Sequence, residues 1–203
     1  MSAVVWTGLA FLCGSIPFAV IIGRLTAHAD IREYGDHNPG ATNVLRVAGW
    51  RWFAATLLLD FFKAAVPVGL AWFMFGLRRW LIVSVAIAPL VGHAYSPWLR
   101  FRGGKALAST FGVWAGLTLG VGPTVLGLLM PLLFGVLTAS GWAVVTALLV
   151  FGGFVVPYYG RGHPELAVIW LANVVLVAWR YRADLRQPLD LRPWLLRLVR
   201  RAP

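Results

Sequence analysis

Apolar residues come in long blocks along this chain, and short polar stretches punctuate them. Val4 to Gly23 is a first block, closed by Arg24, and a polar loop runs on to Arg51. Trp52 to Gly76 is a second, with Asp60 and Lys63 inside it. After Arg78 and Arg79 comes a third, from Trp80 to Trp98, containing Pro89 and His93. The block from Ala106 to Ala139 is too long for one crossing, since a helix spans a bilayer in about 20 residues. Its Gly120-Val121-Gly122-Pro123 break divides it into a fourth and a fifth segment. Trp142 to Tyr158 is a sixth. Leu166 to Trp179 is a short seventh, lengthened when Glu165 and Arg180 snorkel to the interfaces. The pattern predicts an all-α polytopic membrane protein with seven transmembrane helices.

An odd number of crossings puts the termini on opposite sides. With the loop after the first span in the cytoplasm, fourteen Lys and Arg fall on that side, from Arg24 through Lys105 and the seven arginines from Arg180 onward. Only Arg78, Arg79 and Arg161 fall outside. The positive-inside rule then places the amino terminus outside and the carboxyl terminus in the cytoplasm. This orientation gathers three polar stretches on one face: Asp30 to Asn43, Arg100 to Lys105, and the run from Arg180. Ser15, Asp60 and His93 lie in the cytoplasmic halves of their spans. Polar groups in hydrocarbon are costly and face a partner or a cavity. A pocket open to the cytoplasm follows.

Composition agrees. With 60% hydrophobic and 12% charged residues and mean hydropathy +0.77, the chain is not a soluble globular domain. Eleven Trp and twelve Phe suit anchoring at headgroup depth. The net charge of +11 lies between apolar blocks, which points to topology and anionic membrane lipids and away from nucleic acid. The single Cys13 excludes an internal disulfide, and no His, Cys or acidic residues show metal-ligand spacing. No cleaved signal peptide is expected, because no Lys or Arg precedes the first apolar run and Ser15 and Pro17 interrupt it.

Candidate chemistry sits in the polar stretches. Gly103-Gly104-Lys105 offers backbone amides and a point charge to an oxyanion, or else is a flexible turn with a topological lysine. It lacks the Walker A spacing. Arg32, Asn38, Gly40, Thr42 and Asn43 suit a phosphate or polyol, or else form a solvated loop with Asx turns. Asp60 and Lys63 are three apart on one helix face and read as a structural ion pair. His93 is either a general acid or base or a hydrogen-bonded packing residue. After Pro188, Leu191, Trp194, Leu195, Leu198 and Val199 form a stripe with Arg192, Arg197, Arg200 and Arg201 mostly off it. This predicts a membrane domain over 1–187 and a basic amphipathic cytoplasmic tail over 188–203.

Three blocks resemble the bacterial acyl-phosphate-dependent glycerol-3-phosphate acyltransferases, the PlsY family. The first is Gly14-Ser15-Ile16-Pro17 with Asp30-Ile31-Arg32 and Asn38-Pro39-Gly40-Ala41-Thr42-Asn43-Val44-Leu45-Arg46. The second is Gly92-His93-Ala94-Tyr95-Ser96-Pro97 with Phe101-Arg102-Gly103-Gly104-Lys105. The third, weaker, is Arg180-Tyr181-Arg182-Ala183-Asp184-Leu185-Arg186; Asp60 to Lys63 also matches the family's second span.

The resemblance implies transfer of an acyl group from acyl phosphate to the sn-1 hydroxyl of glycerol 3-phosphate. Lysophosphatidate and phosphate are released at a cytoplasmic active site, with no coenzyme A, cofactor or metal. On that reading Ser15, His93 and Lys105 are catalytic. Lys105 holds a phosphate with the Gly103 and Gly104 amides, while Arg32, Asn38, Gly40, Thr42 and Asn43 orient the acceptor. The chain departs from the family where Tyr181 replaces His and Asp184 replaces Asn. Asp36-His37 stands for Ser-Gly, and Ala106 for Gly. An anionic Asp184 repels phosphate unless it is paired, and His37 is the candidate replacement for the lost imidazole. A small organic-anion transporter is a second reading, which the absence of an internal repeat disfavours; a non-catalytic lipid- or acyl-phosphate-binding relative is a third. Self-association, at most, is expected as a weak homo-oligomer.

Overall fold

A computed structural model describes residues 2–200, and among them there is helix but no strand. Two compact units divide the chain near position 121.

The first unit opens with a 25-residue apolar stretch, Ala3–Ala27. It is not one helix. α1 (Ala3–Ser15) stops at Ile16-Pro17, and α2 (Phe18–Ala27) starts afresh. Pro17 has no N–H to continue the ladder and drives Ile16 out of the helical region, to φ −61° and ψ 121°. A single turn at Ile31–Glu33 follows, then α3 (Ala41–Ala48) and α4 (Trp50–Gly69), which widens into a π turn at Leu70–Met74. α5 (Trp80–Ala94) leads through a turn at Pro97–Leu99 into α6 (Leu107–Thr118).

α1 packs along α5, and α4 along α6. Both seams use glycine to bring backbones close, as membrane helices do. A Cβ on Gly14 would collide with the Pro89 backbone, and one on Gly92 with the carbonyl of Phe11. On the other seam, Gly112 lies against the carbonyl of Phe61. Near the polar loop, Ala19, Val20, Ile22, Ile31, Val44 and Leu99 form a small apolar core. Ile31 is fully buried between Asp30 and Arg32 and pins that loop to α2 and α3.

The second unit holds α7 (Val121–Val136), α8 (Ser140–Tyr159), α9 (Glu165–Arg180), a turn at Asp184–Arg186, and α10 (Pro193–Arg200). α8 packs on α9, where the Trp170 indole N–H donates to the Leu148 carbonyl (2.7 Å) over Gly152. The start of α10 and the residue before it are fastened to the end of α7. Arg192 Nε donates to the Phe134 carbonyl (2.8 Å), and the Trp194 indole to Gly135 (2.9 Å). Carbonyls at a helix C-terminus lack partners within the helix and attract cations.

Four stretches are long and apolar enough to cross a membrane: Ala3–Ala27, Trp50–Met74, Trp80–Leu99 and Ser140–Tyr159. Val121–Val136 is a shorter apolar helix, and α6 and α9 have 12 and 16 residues. Large side chains such as Leu12, Leu58, Phe62, Leu81, Leu128 and Val175 are exposed on the helix faces. The predicted break over Gly120–Pro123 is present, about two residues earlier: Leu119 and Gly120 take positive φ, and Pro123 falls in the first turn of α7. Of the predicted amphipathic tail, residues 201–203 lie outside the described residues, as do the side chains of Leu196, Leu198, Val199 and Arg200.

Candidate functional site

Within the first unit a narrow cavity opens where α1 breaks. Ser15, Ile16, Pro17, Phe18, Asp60, Lys63, His93, Ser96 and Gly104 line it, with Pro39 from the polar loop. The break supplies its polar wall, because the carbonyls of the last turn of α1 have no helical partners. Lys63 Nζ donates to the Ile16 carbonyl (2.8 Å), and Ser96 Oγ to the Ser15 carbonyl (2.6 Å). Lys63 also meets Asp60 Oδ1 at 2.6 Å. Both side chains are buried, so this is an ion pair as the i,i+3 spacing predicts, and it faces the cavity.

Ser15 is buried at the same place. Its hydroxyl donates to the Leu12 carbonyl (2.7 Å) and accepts from the Trp98 indole (3.0 Å). Those bonds occupy its proton, which places Ser15 as a brace between α1 and the turn after α5. His93 is buried, with Nδ1 3.4 Å from Ser109 Oγ and 3.9 Å from Asp60 Oδ1. Its Nε2 lies against Gly104, at the point a Cβ there would occupy.

The Gly103-Gly104 strap lies across the end of α5. Its amides, however, are used at home. Gly103 N–H donates to the Ala94 carbonyl and Gly104 N–H to His93, both at 3.1 Å. This corrects the picture of two amides aimed at an oxyanion; the strap's own closure takes them. What it does deliver is Lys105, whose Nζ lies 3.1 Å from Asp36 Oδ2. Ala106 follows at φ 60°, a left-handed position filled by a residue with a Cβ.

Asp36 joins the strap to the polar loop. Its Oδ1 accepts from Asn43 Nδ2 (3.1 Å) and from the Asn38 backbone N–H (3.3 Å). Burial pushes its carboxyl up, but Lys105 and the two asparagine donors outweigh that and hold it below the usual range. Asn43 Nδ2 also donates to the Asn38 carbonyl (2.9 Å), and Asn43 Oδ1 accepts from the Arg46 guanidinium. Gly40 precedes α3, and Thr42 is exposed in its first turn. His37 Nδ1–H donates to the Arg32 carbonyl (2.9 Å) at φ 58°, leaving Nε2 outward.

Arg32 is employed elsewhere. Its guanidinium makes a two-pronged contact with Asp30, Nε to Oδ1 at 2.9 Å and NH2 to Oδ2 at 2.6 Å, with Arg24 adding a third bond. The bond to Arg32 is the main reason that the Asp30 carboxyl sits well below the usual carboxylate range. The guanidinium at the Asn38–Asn43 cluster is instead Arg46, which closes the first of the three sequence blocks. Its three-residue spacing from Asn43 on α3 was the available signal.

Tyr181 and Asp184 belong to the second unit. Tyr181 is buried at the end of α9. Asp184 Oδ2 accepts from the hydroxyl of Ser140, the first residue of α8, at 2.9 Å. A carboxylate there suits the positive end of the helix.

Comparison with known proteins gives a consistent result. The glycerol-3-phosphate acyltransferase family model matches residues 4–190. Glycerol-3-phosphate acyltransferase 1 of Thermotoga maritima is 34% identical over 193 residues, covering 88% of this chain and 94% of its own length. The glycerol-3-phosphate acyltransferase of Thermus thermophilus is 37% identical over 195 residues, 92% of each chain. The crystal structure of PlsY (YgiH), an integral membrane glycerol 3-phosphate acyltransferase, matches in its glycerol 3-phosphate form with a TM-score of 0.82. It does so at 26% identity, over 97% of this chain and 98% of that one. The lysophosphatidic acid form matches with a TM-score of 0.78 at 26% identity, over 91% and 90%.

Proposed function

Since the chain belongs to the glycerol-3-phosphate acyltransferase family, we propose that it moves a fatty acyl group from acyl phosphate to the sn-1 hydroxyl of glycerol 3-phosphate, an early step of phospholipid synthesis. The observation that carries this is the junction at Gly104-Lys105. There a cation among amide donors adjoins a buried cavity containing His93 and the Asp60–Lys63 pair.

Acyl phosphate is a mixed anhydride with a good leaving group, so positioning and charge stabilisation carry the reaction. Lys105 and Arg46 hold phosphate. Asn38, Thr42 and Asn43 orient the acceptor, on a loop that Arg32 fixes through Asp30 and that Gly40 joins to α3. Gly103 and Gly104 lay Lys105 beside His93, and Ser15 braces the broken end of α1 beside the reacting carbonyl. The acceptor hydroxyl oxygen attacks the acyl carbon, the bond from that carbon to the phosphate oxygen breaks, and the departing phosphate takes the hydroxyl proton. The products are lysophosphatidate and inorganic phosphate.

The membrane domain covers 1–187 and crosses seven times, with the amino terminus outside. The basic tail over 188–203 lies on the anionic cytoplasmic leaflet of a bacterial cell membrane. The link between Asp36 and Lys105 supports part of this arrangement, because it requires the loops after the first and third spans to share a side.

Purified protein in detergent, given acyl phosphate and glycerol 3-phosphate, is expected to release phosphate and lysophosphatidate in equal amounts. Acyl coenzyme A offered in place of acyl phosphate is expected to give neither product. Turnover with the thioester, or none with acyl phosphate, would refute the donor assignment.

A further inference from the structure

The carboxylate of Asp36 is bound much as a phosphate oxyanion would be. One oxygen takes the Lys105 ammonium at 3.1 Å, and the other takes the Asn43 side-chain amide and the Asn38 backbone amide. The Arg46 guanidinium completes the cluster through Asn43. Lys105 is assigned above to a substrate phosphate, and Asn38 and Asn43 to the phosphate-bearing acceptor; here an internal anion occupies all three. The side chain of Asp36 is 48% exposed while that of Lys105 is 20% exposed. The carboxylate therefore reaches the lysine from its more exposed side.

The backbone around Asp36 is held in place. Gly35 and His37 both take left-handed conformations, at φ 59° and 58°. His37 N–H donates to the Tyr34 carbonyl and its ring to Arg32. Removing the carboxylate from Lys105 thus needs only a side-chain rotation.

We propose that Asp36 is a resident anion of the phosphate site: it keeps Lys105 and Asn43 ordered while the site is empty, and a substrate phosphate must displace it to bind. It is a positioning and selectivity residue that acts through Lys105. A phosphate dianion can take over the lysine, both asparagines and Arg46 together, whereas a weak monoanion gains too little to dislodge a covalently tethered competitor. The carboxylate stays ionised at neutral pH, so the competing ligand opens the contact, and a modest pH change does not.

The inference rests on the reading that Lys105 contacts substrate phosphate, and the test separates the two. Steady-state kinetics with glycerol 3-phosphate, and inhibition by inorganic phosphate, are measured near neutral pH for the wild-type chain, Asp36→Asn, Asp36→Ser and Lys105→Met. Removal of the tethered charge is expected to lower the KM for glycerol 3-phosphate and the inhibition constant for phosphate, each at least about fivefold in both Asp36 variants. On the same expectation kcat changes less than about threefold. Lys105→Met is expected to weaken phosphate inhibition.

If both Asp36 variants keep or weaken phosphate inhibition while Lys105→Met weakens it, the phosphate site stands and the resident-anion role is wrong. If Lys105→Met leaves phosphate inhibition unchanged, both readings fall. Should one Asp36 variant not fold, the other decides.

Discussion

Charge pairing at single residues separates two arginines that composition alone treats alike. Arg32 is locked onto Asp30, whereas Arg46 belongs to the Asn43 cluster. Arg46→Ala is expected to lower turnover roughly a hundredfold, the scale of losing one charged contact to developing charge, with little change in thermal midpoint. Arg32→Ala should act first on stability, and the sign follows from Asp30. Its folded-state pKa lies below the unfolded value of about 3.9, so its stabilisation is present above that value and disappears as pH falls through the folded one. Without Arg32 the folded value rises toward the unfolded one, so the variant is less stable than wild type above about pH 3.9, its acid limb is shallower, and the two converge at low pH. Unfolding midpoints across an acid series in detergent check this, and identical acid limbs would contradict it. The residue types of the site were legible, since the Asp30–Asn43 loop and the Gly103–Lys105 strap both hold its polar groups. Their partners were not. Asp36 reaches Lys105 across 69 positions of sequence, and pairing at that range is fixed by the fold alone.

At the scale of elements, the α1–α5 seam sets the cavity's dimensions. Gly14 and Gly92 bring two backbones into contact next to Ser15 and His93. Gly92→Ala should force the helices apart, costing about 1–3 kcal/mol as overpacking does and lowering kcat through displaced side chains; thermal unfolding and turnover measured together test it. The buried pair on α4 gives a second expectation. Lys63→Met should cost roughly 3–5 kcal/mol by stranding Asp60, and Asp60→Asn with Lys63→Met should recover part of that loss. A double variant no better than the single would argue that Lys63 matters only through the Ile16 carbonyl. The apolar blocks announced most helices to within a few residues. The block pattern carries the first span across Pro17, because the apolar run resumes at once beyond it and only the missing proline N–H marks a helix boundary there.

For the whole molecule, the sequence gives an all-helical membrane protein directly, through block length and hydropathy. Crossing number is harder, since α6 and α9 are shorter than a full span. Topology is testable in cells. A cytoplasm-dependent reporter fused after Pro203 should be active, and one inserted at Gly160 to Gly162 inactive; the reverse pattern would overturn the proposed orientation. The fastening of Arg192 and Trp194 to the end of α7 adds a condition, because a fusion that dislodges them exposes carbonyls they now satisfy. A linker after Pro203 is therefore expected to preserve activity better than truncation before Arg192.

The interrupted first span also bears on how the protein is made. The carbonyls of Ser15 and Ile16 fall inside the apolar Ala3–Ala27 stretch, and the groups that satisfy them are Ser96 and Lys63. Those residues are synthesised much later, in the third and second spans. When α1 leaves the ribosome, its broken end has no protein donor, and a bare carbonyl in hydrocarbon is costly. The nascent chain must keep that end hydrated, or shielded by the insertion machinery, until two more segments arrive. The cavity that serves the finished enzyme is thus a debt carried through biogenesis, discharged only when the third span has docked.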